Sequence, residues 1–170
     1  WKKRVGADSR SFAASVLLAV ASVPATAAER AEAVVDRVQA PLWVERQGSS
    51  QFVVPGLVLR NRDRLRTGPD GRARIRLAEG SVVDLGSDTQ LDINALRAGD
   101  ETADTAAERS VFTAAIDVPS GSLYFRSDGA DGGYRQRLVN VRVGAITARL
   151  HGADVWGRAD SEADRICLLA

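Results

Sequence analysis

The clearest periodicity in the chain lies at Arg72–Leu77, where Arg72, Arg74 and Arg76 alternate with Ala73, Ile75 and Leu77. Period two sends successive side chains to opposite faces, so this stretch is predicted to be a strand with one buried and one solvated side. The same alternation returns at residues 89–93, at 138–143 and at 146–150. Leu42–Arg46 and the apolar run Phe52, Val53 and Val54 flank Gln47-Gly48-Ser49-Ser50, which predicts a hairpin. Further runs at 81–85, 111–118 and 123–125 are bounded by Gly80, by Gly86 and by Pro119-Ser120-Gly121-Ser122, the last read as a turn. Strands this short, with Gly at their corners and no crossover helix between them, predict an all-β single domain. Its short strands are antiparallel or coiling, as in a sandwich or a short β-solenoid. The expected core includes Ile75, Leu77, Val141, Val143 and Ile146, while Arg74, Arg76 and Arg142 face water.

The front of the chain has a different pattern. Lys2, Lys3, Arg4 and Arg10 precede an apolar stretch at 11–23, and Ala25-Thr26-Ala27 gives the small-x-small signature of a signal-peptidase site. The apolar stretch falls short of the roughly 20 residues that span a bilayer. Residues 1–27 are therefore predicted to be a cleavable signal helix, with no stable membrane span, and the exported part to be periplasmic. Residues 28–41 are a lead-in, read either as a short strand or as frayed chain, and 42–170 are the β domain. The polar stretch near 97–109 holds no apolar residue larger than Ala and reads as a surface loop insertion. The sequence contains no Met and ends on the apolar run 166–170, so both ends are expected to be truncated.

Composition narrows the function classes. Basic and acidic residues number 23 and 22, and loss of the signal removes four bases against Asp8 alone. The exported part is then slightly acidic overall, which argues against a nucleic-acid partner. Every base after Lys3 is Arg, and Ala and Gly are abundant, as a GC-rich bacterial genome would produce. Cys167 is the one cysteine and is read as a small buried residue within its apolar run.

Catalysis and cofactors find little support. His151 stands alone beside Gly152 at a predicted turn, and one His with one Cys cannot make a zinc site. Asp128 and Asp131 share a loop without the ligand spacing of a calcium motif. No enzyme activity, metal or cofactor is expected. The feature that stands out is a ladder of Arg60, Arg62, Arg64 and Arg66 followed by Arg72, Arg74 and Arg76. On adjacent strands these would share a face and hold an anionic partner, either an acidic envelope protein or an anionic wall polymer. The competing reading is a solvated face balanced by Asp63, Asp70, Glu79 and Asp84.

The spacing Gly56-Leu57-Val58-Leu59, Asp63-Arg64-Leu65-Arg66-Thr67-Gly68, Gly71 to Leu77 and Gly80-Ser81 resembles the FecR domain, with Glu79 where Asp is usual. Residues 143–157 resemble the second half of stand-alone exported FecR proteins, and together the likeness runs over roughly residues 42–169. The resemblance implies an all-β periplasmic domain that binds proteins. In sigma-regulator members such a domain takes a signal from an outer-membrane receptor and passes it through a membrane helix to a cytoplasmic anti-sigma segment. A cleavable signal in place of that helix favours a protein-binding or scaffold module of the envelope, with the sensor role as the alternative and an envelope hydrolase last.

Overall fold

The computed structural model describes Trp1 and residues 32–99, 111–127 and 134–169. The signal segment, most of the loop insertion and the Asp128–Asp131 loop lie outside the described residues. Twelve strands follow one another: β1 Ala33–Gln39, β2 Leu42–Arg46, β3 Ser49–Phe52, β4 Arg64–Thr67, β5 Arg72–Leu77 and β6 Val82–Leu85, then β7 Gln90–Arg97, β8 Val111–Arg126, β9 Gln136–Val143, β10 Ile146–Leu150, β11 Asp154–Ala159 and β12 Arg165–Leu169. No helix occurs among the described residues, and the all-β expectation holds.

The strands join in the order β1-β5-β6-β8-β7-β4-β2-β3, with β9–β10 and β11–β12 added alongside β8. Pairing is antiparallel except between β8 and β9, which run parallel. Strand β8 turns the whole sheet. Its first part lies between β7 and β9, and its last part between β6 and β11. Buried positions fall on Phe112, Ala114, Ile116 and Val118, then on Leu123 and Phe125, so the inward phase changes across Pro119–Ser122. The turn expected there is instead a bend within one continuous strand. Gly121 permits it with φ of 92°, and a Cβ at that point would lie 2.4 Å from the Thr89 Cα. Because β8 belongs to both wings, the sheet curls, and Leu65, Leu91 and Phe112 of one wing join Ile75, Val83 and Phe125 of the other in one core.

The ends of the strand order meet at the segment 53–59. Val35 donates its N–H to Leu57 O at 2.9 Å and accepts from Gly56 N at 2.8 Å, while Leu59 N reaches Ala33 O at 3.0 Å. β1 is thus an integral strand of the sheet, with Ala33 and Val35 buried, as the short-strand reading of that stretch had it. The β2–β3 hairpin closes more tightly than its sequence suggested: Gln47 and Gly48 alone form the turn, both at positive φ, the geometry whose twist matches paired strands.

The Asp-x-Leu-x-Thr-Gly series has a local explanation. Asp63 is 1% exposed and takes the Arg60 N–H at 2.8 Å, bending the chain into β4. Leu65 points into the core. Thr67 Oγ1 donates to Gly86 O at 2.7 Å and accepts from Thr89 N at 2.8 Å, tying the β4 end to the β6–β7 turn. At Gly68 a Cβ would sit 2.5 Å from Pro41 Cγ, so a side chain would push β2 away.

Ile75, Leu77, Val141 and Val143 are buried as expected, but Ile146 is not, at 39% exposed. It faces the same side as its partner Val143, yet among the described strands β10 pairs with β9 alone. Cys167 is exposed as well, because register places it opposite Trp156 on the outer side of β11. On the opposite face of β12, Ile166, paired with the buried Gly157, is half-buried, whereas Leu168, paired with Val155, is 69% exposed.

Candidate functional site

The Arg ladder does not assemble on adjacent strands. Arg64 and Arg66 lie on β4, Arg72, Arg74 and Arg76 on β5, and three strands, β6, β8 and β7, stand between them. Arg60 and Arg62 precede β4 in a turn, with Arg62 at φ 71°. Within β5 the expectation holds, since the three Arg point outward while Ala73, Ile75 and Leu77 are buried.

The counter-charges also differ from those expected. Asp63 and Glu79 are buried and cannot balance an outer face. Asp63 grips Arg46, with Nε–Oδ1 at 2.7 Å and Nη2–Oδ2 at 2.6 Å, and this hydrogen bond raises the Arg46 pKa further above its ordinary value. Glu79 Oε2 accepts the Ser81 N–H at 2.5 Å, closing the β5–β6 turn. Asp70 meets Gln39 through its backbone oxygen. Only Asp84 acts as anticipated, holding Arg74 Nε at 2.7 Å and also Arg126 Nη2 at 3.1 Å.

On the β4 wing the outer face is a cross-strand ion ladder. Register aligns Glu45, Arg64, Asp92, Asp117 and Arg142 in one row over five neighbouring strands. Arg64 reaches Asp92 at 2.7 Å and Glu45 at 3.7 Å, and Arg142 pairs with Asp117, so the two facing aspartates are each neutralised from the far side. The Asp92 hydrogen bond raises the Arg64 pKa. Arg66 shares Glu45 at 3.3 Å.

Two outer regions remain without such closure. One is cationic, at the β1–β5 pairing: Arg37 and Arg72 have no ion-pair partner among the described residues. Arg37 escaped sequence reasoning because 28–41 had no decidable period. The other is apolar. Among the described residues strand β3 ends the strand order and pairs with β2 alone; its last residue, Phe52, is 71% exposed, and Val54, just beyond it, 63%. Trp43, cross-strand from Phe52, stands against it with ring centroids 5.8 Å apart. Phe52 and Val54 were visible as an apolar run, but only the topology shows that their strand has an open edge.

His151 lies exposed between β10 and β11. Among the described residues, no group of three or more His, Cys, Asp or Glu side chains could hold a metal, and no helix is long and apolar enough to cross a membrane.

A family model described as FecR protein matches residues 63–169, well over half the chain. The chain belongs to the FecR family. The match begins at the buried Asp63 that opens β4 and ends on the last residue of β12, so it spans both wings of the curled sheet. FecR domains are known from the periplasmic parts of sigma-factor signalling regulators. No curated protein and no solved structure matches the chain.

Proposed function

We propose that this FecR chain is a non-catalytic periplasmic binding module of the bacterial envelope, which docks an extended segment of another envelope protein along β3. The observation that carries this reading is the β3 edge left unpaired among the described residues, with Phe52 exposed at its end and Val54 exposed just beyond. An unpaired strand edge offers a row of N–H and C=O groups to an incoming strand, and large exposed apolar side chains there favour association. Main-chain hydrogen bonds would give such a complex its affinity, and contacts with Phe52, Val54 and the Trp43 ring its selectivity. Family membership supports a role in protein contacts. The signal-peptide pattern read in the sequence at 1–27 supports the compartment.

The test is a photo-reactive phenylalanine analogue placed at Phe52 in the full exported chain. It should yield a discrete adduct with one envelope protein, and the same group at exposed Arg149 on β10 should not. Labelling of both positions alike, or of neither, would sink the proposal. The family match favours one second reading, a sensor part of a sigma-factor regulator; an adduct at Phe52 with an outer-membrane receptor would select it.

A further inference from the structure

We propose that the cleft beside the turn into β4 is a second binding site, for a singly charged, hydroxyl-rich ligand: a carboxylated sugar unit of an envelope polysaccharide. It uses the outer face of the sheet rather than the β3 edge, and it stands whether or not that edge binds.

A third region without charge closure lies where the chain enters β4. Asp63 donates its N–H to Arg60 O at 3.1 Å, closing a four-residue turn whose third residue is Arg62, at φ 71°. Asn61 before it is not at positive φ, so this is the turn type whose third position favours Gly. The turn is pinned to β7 from two sides. Arg62 N donates to Ile93 O at 2.7 Å, and the Asn61 side chain accepts the Leu96 N–H at 2.5 Å and donates to Leu96 O at 3.3 Å. Strain over-determined in this way is a mark of ligand clamps. The neighbouring part of β7 is irregular too. Ile93 pairs with Ile116 and Ala95 with Ala115, so Asn94 is the extra residue of a bulge and stands exposed. Bulges re-aim side chains beside functional sites.

Arg62 and Asn94 border one open cleft of about 600 Å³, together with Ser50, Glu45, Arg64 and Asp92. That volume suits a small ligand. Arg64 is already engaged, giving Nε and Nη2 to Asp92 and facing Glu45 with Nη1. The Arg62 guanidinium, by contrast, has no partner among the described residues, so the cleft holds one open positive charge beside a closed ion group. A planar guanidinium binds a carboxylate in paired hydrogen bonds. Further negative charge on the ligand would be repelled by Glu45 and Asp92. Those same carboxylates can accept ligand hydroxyls while keeping Arg64, because an ionised carboxylate offers about four acceptor sites. The Asn94 amide and the Ser50 hydroxyl can each donate and accept. An apolar ligand finds nothing comparable, since Ile93 is the one large apolar residue in the lining and is only 3% exposed. One carboxylate among several hydroxyls is the chemistry of a uronic-acid sugar.

The experiment is an NMR titration of the exported chain with a trisaccharide that carries one glucuronate, beside its methyl ester, which differs only in lacking the charge. The acid should bind about tenfold tighter than the ester and shift the amides of Ser50, Arg62 and Asn94, and salt should weaken it. Arg62→Gly should lose about tenfold in affinity yet melt no earlier than wild type, because Gly suits the positive φ that strains Arg. That separation of binding from stability is what a merely structural Arg would not give. Arg62→Lys should keep part of the binding, Asn94→Ala should lose about threefold, and Arg158→Gln on β11 should stay within about twofold. Circular dichroism checks that each variant is folded. Equal binding of acid and ester, no binding to the wild-type chain, or an undiminished Arg62→Gly would each overturn the proposal. So would acetate competing as well as the trisaccharide itself, which would mean a simple anion site, or a short peptide with one Asp binding as tightly, which would mean a peptide site.

Discussion

The outer faces of β4 and β5 carry the same sequence pattern and end in different electrostatic states. Each strand alternates Arg with a core residue, Leu65 in one and Ala73, Ile75 and Leu77 in the other, so period two orients both alike. On β4 the cross-strand neighbours are Glu45 and Asp92, both acidic, so each Arg64 contact is with an opposite charge, and the two facing aspartates further along the row are each neutralised by an Arg. On β5 the neighbours are Asp84 on one side and, through the β1 bulge, Arg37 on the other. Periodicity therefore decides which way an Arg points, and register decides whether it is neutralised there. A charge left open by register is the better candidate for binding.

Substitutions in the shared core should have the largest effect and should not separate the strands. Leu65→Ala and Ile75→Ala each remove a side chain buried in the common cluster and should cost about 2–5 kcal/mol. Chemical denaturation measures this, and a second, separate transition in either variant would mean that one wing folds independently of the other.

The buried pair at the entrance to β4 comes next. Asp63→Asn leaves Arg46 facing a neutral amide and weakens the bond that holds the Arg60 N–H. Removing one partner of a fully buried pair costs about 3–5 kcal/mol; here about 2–3 is expected, since the Arg46 side chain is 24% exposed. A cost near zero would show that the Asp63 contacts do not order the turn.

Smaller effects test the comparison directly. Asp92→Asn removes the middle of the β4 ladder and should cost about 0.5–1 kcal/mol, less as salt rises. Arg37→Gln on the open β1–β5 face should instead be neutral or stabilising by a few tenths of a kcal/mol, because it relieves a facing like-charge pair. Thermal melts at two salt concentrations read both. If the two variants shift stability in the same direction by the same amount, the faces are equivalent and register has not separated them.

Much of this was legible along the chain, for local reasons. Alternation at β5 and β9, the β2–β3 hairpin and the family resemblance all depend on neighbours within a few residues, and each is present in the fold. What could not be read depends on partners far away. Pro119 to Ser122 looks like a turn, yet β7 pairs with Ser120 and β11 with Gly121 and Ser122, which holds that stretch in a single bent strand. Cys167 lies in an apolar run, but its face is fixed by pairing with Trp156. Arg37 faces outward through a bulge that no local pattern announces. The ladder of Arg60 to Arg76 was legible as a pattern of directions, while its division between two wings came from strand order alone.

The smallest expected effect lies at Asp160, away from both Arg strands, and sets a baseline for a carboxylate held chiefly by backbone N–H groups. Its Oδ1 accepts the N–H groups of Ala163 at 2.9 Å and Glu162 at 3.0 Å in the β11–β12 turn, and its Oδ2 meets Arg158 at 3.1 Å. The two backbone bonds, Ala163 first, favour the ionised form and lower its pKa below the ordinary 3.8, with Arg158 and Arg165 adding smaller pulls in the same direction. A folded pKa below the unfolded one means that the turn is favoured above the unfolded value, and that the contribution is lost as pH falls through the lowered one. NMR titration of the Asp160 carboxyl should show a midpoint below 3.8, and the Ala163 amide should shift in step with it. Asp160→Asn should abolish that coupled shift of the Ala163 amide. A midpoint at or above 3.8 would mean that the turn does not hold the carboxylate in solution, and that backbone bonds at an exposed turn contribute less than the cross-strand guanidiniums of the β4 ladder.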